Sequence, residues 1–110
     1  MKMNLESDDL SRIADGFQRA LNQSKPLSAP IRIDFHDHGS LFLERNEVQK
    51  IDQPAPCTVS LSVSDFDAVA HGKLNPVSAV MTGRIKISGS MPLLIELGKV
   101  LSEARKAGVV

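Results

Sequence analysis

Several groups of residues in this sequence have the types that could do chemistry. His36, Asp37 and His38 place two imidazoles and a carboxylate within three positions. In a strand, His36 and His38 would share a face, as a metal ion would need. However, Asp37-His38-Gly39-Ser40 has the composition of a hairpin turn, which does not hold that spacing, and a zinc site takes three or four placed ligands. A serine nucleophile would need a base and an oxyanion hole, usually on a Gly-x-Ser-x-Gly elbow. No such elbow occurs, and Gly39-Ser40 and Gly89-Ser90 read as turns. Cys57 shares a face with Val59 and Leu61, which predicts a buried, inert thiol. Gly83-Arg84 leads into a strand and lacks the spacing of a phosphate loop. Asp65 and Asp67 stand two residues apart at a helix start, so they share no face and read as helix-end stabilisers. Lys73, Arg84 and Lys86 form a modest basic patch, either ordinary solvated charge or weak steering toward anionic headgroups or acyl carriers. No residue is assigned a catalytic role. The expectation is a protein that is not an enzyme and uses no metal or cofactor.

The elements that would position these residues follow from periodicity and punctuation. Residues 8–23 read as an amphipathic helix with Ser7 as N-cap and Leu10, Ile13, Ala14, Phe17, Ala20 and Leu21 on one face. Pro26 ends it. Ile31 to His36 alternates as a half-buried strand, Leu41 to Arg45 is a second strand, and a short third runs from Glu47 to Ile51. Cys57 to Val63 is the cleanest alternation in the chain. Ser64 to Asp67 fits a helix-opening S-x-x-[DE] pattern, giving a short helix that turns Phe66, Val69 and Ala70 inward and stops near Gly72. Asn75-Pro76 opens another, closed by Gly83. Arg84 to Ser88 is a strand with Ile85 and Ile87 inward. Residues 91–106 form the last helix. Its Leu93, Leu94, Leu97, Val100, Leu101 and Ala104 fall within an arc of about 120°. Met91 and Ile95 lie outside that arc, either incidentally exposed or at a cavity mouth or partner surface. Strands clustered ahead of helices predict an α+β fold with a mainly antiparallel sheet.

Composition narrows the class. The chain has 110 residues, the size of one domain, so residues 1–110 are read as a single domain. Thirteen basic and thirteen acidic residues cancel, which argues against a nucleic-acid partner and against a strongly anionic membrane as the main one. The lone cysteine permits no internal disulfide, and a reducing cytoplasm is the simplest compartment. The N-terminal residues do not read as a signal peptide, and Ala107-Gly108-Val109-Val110 reads neither as a peroxisomal signal nor as a prenylation site. Four Phe and no Trp or Tyr leave an aliphatic core, which can pack tightly or line a greasy pocket.

The segment Asp65 to Gly89 resembles the sterol carrier protein type 2 family. Asp65, Asp67, Gly72-Lys73-Leu74, Pro76, Ala79, Gly83, the basic-apolar alternation Arg84 to Ile87, and Gly89 carry the resemblance without a gap. Residues 1–56 agree only in the order of elements. The chain departs from the family pattern at Val80 and Met81, where aromatic residues are common, and at Met91-Pro92, where glycine often follows methionine. The peroxisomal C-terminus is absent.

The resemblance implies a five-stranded sheet covered by helices around an apolar cavity. The cavity would be lined by Phe66, Val69, Val77, Val80, Met81, Ile85, Ile87, Leu93, Leu94, Leu97, Val100 and Leu101. It implies non-catalytic binding and transfer of fatty acids, acyl-CoAs, or sterol- or isoprenoid-like lipids. A second reading is an accessory subunit that holds a hydrophobic intermediate for membrane-associated enzymes such as those of isoprenoid-quinone synthesis. The partners implied are an apolar lipid and a transient membrane surface or enzyme. An unfilled void of ~300 Å³ would cost about 7 kcal/mol, close to the whole stability of a domain, so the cavity is expected to be filled or partly collapsed.

Overall fold

The computed structural model describes residues 5–108. The terminal residues on which the leader and C-terminal readings rest lie partly outside the described range, as do the side chains of residues 5–8 and 37. The elements run α1 (Leu5–Asn22), β1 (Ile31–Asp34), a 3₁₀ turn (His36–His38), β2 (Ser40–Glu44), β3 (Glu47–Gln49), β4 (Cys57–Ser60), α2 (Val63–Ala70), α3 (Pro76–Met81), β5 (Lys86–Ser88) and α4 (Met91–Ala107). The fold is α+β, with one five-stranded open sheet in the order β3-β2-β1-β4-β5. Three pairings are antiparallel, and β1 pairs with β4 in parallel, so the sheet is mixed.

The inner face of the sheet presents Ile31, Ile33, Leu41, Leu43, Cys57 and Val59, all buried. Their alternation is the strand period that the sequence shows. α1 covers part of this face with Ile13, Ala14, Phe17, Ala20 and Leu21, and α4 covers more with Leu93, Leu94, Leu97, Val100, Leu101 and Ala104. A polar clamp fixes the end of α1 against the β2–β3 hairpin. Gln18 Nε2 donates to the Asn46 carbonyl at 2.7 Å, and Asn46 Nδ2 donates to the Leu21 carbonyl at 2.7 Å. On the outer face, Arg32 is paired with Phe42 and Thr58 in register, and its Nε donates to Asp52 Oδ1 at 2.7 Å.

Several boundaries differ from the sequence reading: β2 is shifted by one residue to Ser40–Glu44, β3 stops at Gln49 rather than Ile51, and β5 starts at Lys86 rather than Arg84. α1 begins at Leu5, so Ser7 lies inside the helix and does not cap it. β1 stops at Asp34, whose Oδ1 accepts from the His36 amide at 2.9 Å; His36 then takes a positive φ of 59° and starts the 3₁₀ turn. β4 stops at Ser60, and Ser62 rather than Ser64 caps α2, its hydroxyl accepting from the Asp65 amide at 3.0 Å. A side-chain cap serves the amide two or three residues downstream, so the serine nearer the strand reaches the first free donors and Ser64 is left exposed in the first turn. The other caps follow the sequence: Asn75 Oδ1 accepts from Val77 and Ser78, with Pro76 at the first helical position.

Gly89 is the glycine that the fold needs most. Its φ is +112°, and a Cβ there would collide with the Pro56 carbonyl oxygen and the Cys57 backbone. The turn from β5 into α4 therefore passes directly against the start of β4.

Two substitutions test this account by urea denaturation. Ser62→Ala should lose about 1 kcal/mol, whereas Ser64→Ala should change stability by less than about 0.5 kcal/mol. Gly89→Ala should cost about 2–3 kcal/mol or prevent folding, because steric collision adds to backbone strain.

Candidate functional site

A small cavity of about 30 Å³ lies between the sheet and the helices, with a wholly apolar wall. Its floor is Ile33 of β1, Val59 of β4 and Leu61 just beyond it. Its sides are Phe17 of α1, Phe66 and Val69 of α2, Ile85, and Leu94, Leu97 and Leu101 of α4. Pro76 and Gly98 complete it where α3 meets α4. Val69, Pro76 and Gly98 are only half-buried, so they mark the side of the cavity nearest solvent. A Cβ on Gly98 would stand 3.3 Å from Pro76 Cγ, so the glycine is what lets α3 start this close to α4. Among the described residues no buried side-chain polar atom lacks a partner, and the core contains no buried polar or charged side chain.

Phe66 is the centre of this wall. Its ring packs on Phe17 at a centroid distance of 5.1 Å and edge-on to Phe35 at 5.8 Å. Both are favourable aromatic geometries, each contributing about 0.5–1.5 kcal/mol beyond area burial.

Of the residues expected to line the cavity, Phe66, Val69, Ile85, Leu94, Leu97 and Leu101 come together around it. Val77, Val80, Met81, Ile87, Leu93 and Val100 do not line this cavity. The reason on α4 is angular. At 100° per residue Leu94, Gly98 and Leu101 lie on one flank of Leu97, and Leu93 and Val100 lie on the other, where they pack into the core. On α3 only Ala79 is fully buried, and Met81, the last helical residue, is 81% exposed. Ile87 sits on edge strand β5 opposite Val59 and is half-buried. Phe17, Ile33, Val59 and Leu61 were legible as inward-facing residues but not as cavity wall. Pro76 and Gly98 carried no sequence signal beyond a helix start and a small residue. Met91 is half-buried, and Ile95 is 42% exposed.

The charged residues of the motif hold elements together. Asp65 accepts from Arg84 Nη2 at 2.7 Å, which joins α2 to the approach of β5. Asp67 accepts from both terminal nitrogens of Arg12, at 3.1 and 3.3 Å, which joins α2 to α1. The hydrogen bond to Asp67 raises the Arg12 pKa above its ordinary value. The basic patch therefore loses Arg84 to a neighbour, while Lys73 and Lys86 stay exposed. His36 and His38 lie in the 3₁₀ turn, where His38 stands 3.7 Å from Asp9. No three His, Cys, Asp or Glu side chains among the described residues form a metal-binding group. No described helix is long and apolar enough to cross a membrane.

The sequence matches the SCP-2 sterol transfer family over residues 2–102, and the chain belongs to that family. It is 46% identical to human sterol carrier protein 2 over 46 residues, which are 42% of this chain and 8% of that protein. The curated relatives matched most strongly are thus much longer, and this chain spans about a tenth of their length or less. The fold is similar to that of the Aedes aegypti sterol carrier protein 2 complex with palmitate, with a TM-score of 0.68 and 16% identity over 91% of this chain and 97% of that one. It is also similar to the UbiJ-SCP2 ubiquinone synthesis protein, with a TM-score of 0.63 and 14% identity over 94% of this chain and 97% of that one.

Cys57 supplies a pH test of the core. It is fully buried, and burial pushes its thiol pKa above the ordinary 9.0, with a partial opposing effect from a backbone hydrogen bond of Ser90. A raised acid pKa means that the folded state holds the proton more tightly than the unfolded chain. Its contribution to stability is therefore complete below pH 9.0 and is lost as pH rises through the folded value. Urea midpoints from pH 7 to 10.5 should fall more steeply for the wild type than for Cys57→Ala. Parallel profiles would contradict the assignment.

Proposed function

We propose that this chain binds an apolar lipid in the space between the sheet and α2, α3 and α4, and carries or presents it without chemistry. The observation that supports this most directly is the wholly apolar cavity, set in a chain that belongs to the SCP-2 sterol transfer family. A similar fold is known in complex with palmitate, a 16-carbon chain. The single cysteine is unpaired and buried, which fits a reducing compartment, taken here as the cytoplasm.

The cavity size determines how binding must proceed. Ligand pockets usually measure about 300–1,000 Å³. A void of 30 Å³ costs roughly 0.7 kcal/mol, whereas an unfilled one of ~300 Å³ would cost roughly 7 kcal/mol. Opening without filling is therefore disfavoured, and opening and binding occur together. Burying a 16-carbon chain supplies about 12 kcal/mol gross, before the costs of association. The elements that give way are α2 and α3. They are eight and six residues long and bury only Phe66, Ala70 and Ala79 between them, whereas α1 and α4 are anchored by long apolar stripes. The mouth lies at Val69, Pro76 and Gly98. The wall residues are Phe66, Val69, Ile85, Leu94, Leu97 and Leu101 with the sheet floor beneath them, and Val80 and Ile87 join when α3 moves.

A second reading is a presenting subunit that holds a hydrophobic intermediate for biosynthetic enzymes. It is favoured by the similarity to the UbiJ-SCP2 ubiquinone synthesis protein over nearly the full length of both chains. Met91 and Ile95 are the residues it would use toward a protein partner. Native mass spectrometry of gently purified protein separates the two: bound fatty acyl lipids support the carrier, and polyprenylated phenols or quinones support the presenter.

Saturating palmitate should raise the melting temperature by several degrees, as about 2.7 kcal/mol of linkage at one hundred times Kd requires. Identical melting with and without lipid would sink the proposal. Val69→Trp, at a half-buried position, should narrow the mouth and weaken palmitate binding about tenfold or more, with little effect on melting of the lipid-free protein. In a series of fatty acids, each added methylene should strengthen binding by up to about 0.8 kcal/mol until the widened cavity is full.

A further inference from the structure

Three large apolar side chains are exposed among the described residues: Ile51, Met81 and Ile95. Met81 ends α3, and Ile95 lies on α4, the helix that α3 meets at Gly98. At 100° per residue, Met91, Ile95 and Gly98 fall within about 60° of one another. Met91 and Ile95 therefore continue, toward the start of α4, the stripe that α3 covers at Gly98. Met91 is half-buried, as are Val77 and Val80 on α3. Ile51 is elsewhere: it follows β3, which forms the opposite edge of the sheet from β5.

Charge is uneven in the same region. Residues 68–102 hold four basic side chains, Lys73, Arg84, Lys86 and Lys99, and one acidic side chain, Glu96, in a chain whose thirteen basic and thirteen acidic residues cancel. The four basic residues are exposed. Glu96 is half-buried, and its Oε2 accepts from the Ser28 amide at 3.0 Å. Arg84 pairs with Asp65, yet its side chain is still 55% exposed. These cations come from the turn ahead of α3, from the chain after it and from the helix it packs on. They bracket the exposed apolar residues, and the mouth at Pro76 and Gly98 lies among them.

We infer that this face docks on an anionic lipid bilayer, with Met81 and Ile95 entering the interface and the four cations meeting the headgroups. The inference extends the lipid-binding reading above, because docking would bring the mouth to the surface that supplies or receives the lipid. It stands on exposure and charge, which are independent of the cavity. Overall neutrality does not oppose it. Salt screens charges beyond about 8 Å, so a headgroup layer senses the face turned toward it and not the whole chain. Lysine is depleted at protein interfaces, whereas each lysine held near an anionic leaflet strengthens attachment. An apolar tip ringed by lysines therefore suits a bilayer better than a protein partner. Methionine is flexible and apolar, so Met81 can enter the acyl boundary without a fitted pocket.

The test is co-sedimentation of the full chain with vesicles of phosphatidylcholine alone and of phosphatidylcholine with about 30 mol % phosphatidylglycerol. The wild type should bind the anionic vesicles, leave the neutral ones largely free, and lose binding as salt is raised. Met81→Ser should weaken binding about tenfold. Lys73→Gln and Lys86→Gln should each weaken it about fivefold. Ile51→Ser, the same kind of change at the opposite sheet edge, should alter it by less than about twofold. All four positions are exposed, so melting should shift by less than about 4 °C, and palmitate affinity in solution should stay within about twofold. The docking assignment is overturned if the wild type ignores both kinds of vesicle, if it binds both equally, or if Met81→Ser and Ile51→Ser bind alike. A concentration-dependent dimer that Met81→Ser dissolves, with no vesicle binding, gives the face to a second copy and also overturns it. Palmitate titration separates the two readings: vesicle binding without palmitate binding removes the carrier reading and leaves the docking face standing.

Discussion

The structure depends on keeping water off one face of a mixed five-stranded sheet. Ile31, Ile33, Leu41, Leu43, Cys57 and Val59 line that face, and two long helices supply enough apolar surface to cover most of it. The gap they leave is spanned by two short helices with few buried side chains. Phe66, from the first of these, fills the centre against Phe17 and Phe35. An apolar gap covered by weakly anchored elements is what a container for greasy molecules needs: a firm frame on one side and a compliant one on the other.

The same economics keep the container nearly shut. Void volume in an aliphatic core costs about 24 cal/mol per Å³, which a chain of this size tolerates only in small amounts. The cavity of about 30 Å³ is within that tolerance. Its wall has no polar group, so the hydrophobic effect supplies affinity and little selectivity. Greasy walls discriminate weakly between chains of similar size. Any selectivity for one class of ligand must come from polar groups outside the wall.

The segment most recognisable as a family mark, Asp65 to Gly89, has an architectural explanation at nearly every marked position. Asp65 and Asp67 tie α2 to Arg84, just ahead of β5, and to Arg12 of α1. Gly83 has a φ of +82° and follows α3. Gly89 lets a turn pass against the Pro56 carbonyl. Ala79 is fully buried under α3, and its carbonyl accepts from Arg84 and Ile85, which guides the chain into β5. These residues build the frame around the apolar cavity without lining it.

The order of elements, the inward face of each strand, the caps at Asn75 and Pro76 and the buried arc of α4 could all be read from local periodicity, because each depends on side chains a few residues apart. Phe66, Val69, Ile85, Leu94, Leu97 and Leu101, which line the cavity, were legible as apolar-face residues for the same reason. The remainder was decided by contacts between distant segments. Ser62 rather than Ser64 became the cap because β4 ends at Ser60. Met81 lies outside because α3 stops there. Leu93 and Val100 pack away from the cavity because α3 meets α4 at Gly98, on the opposite flank. Sequence by itself determined which faces are apolar; only the tertiary structure decided which of them close together and which leave space, because packing joins residues that no local period relates.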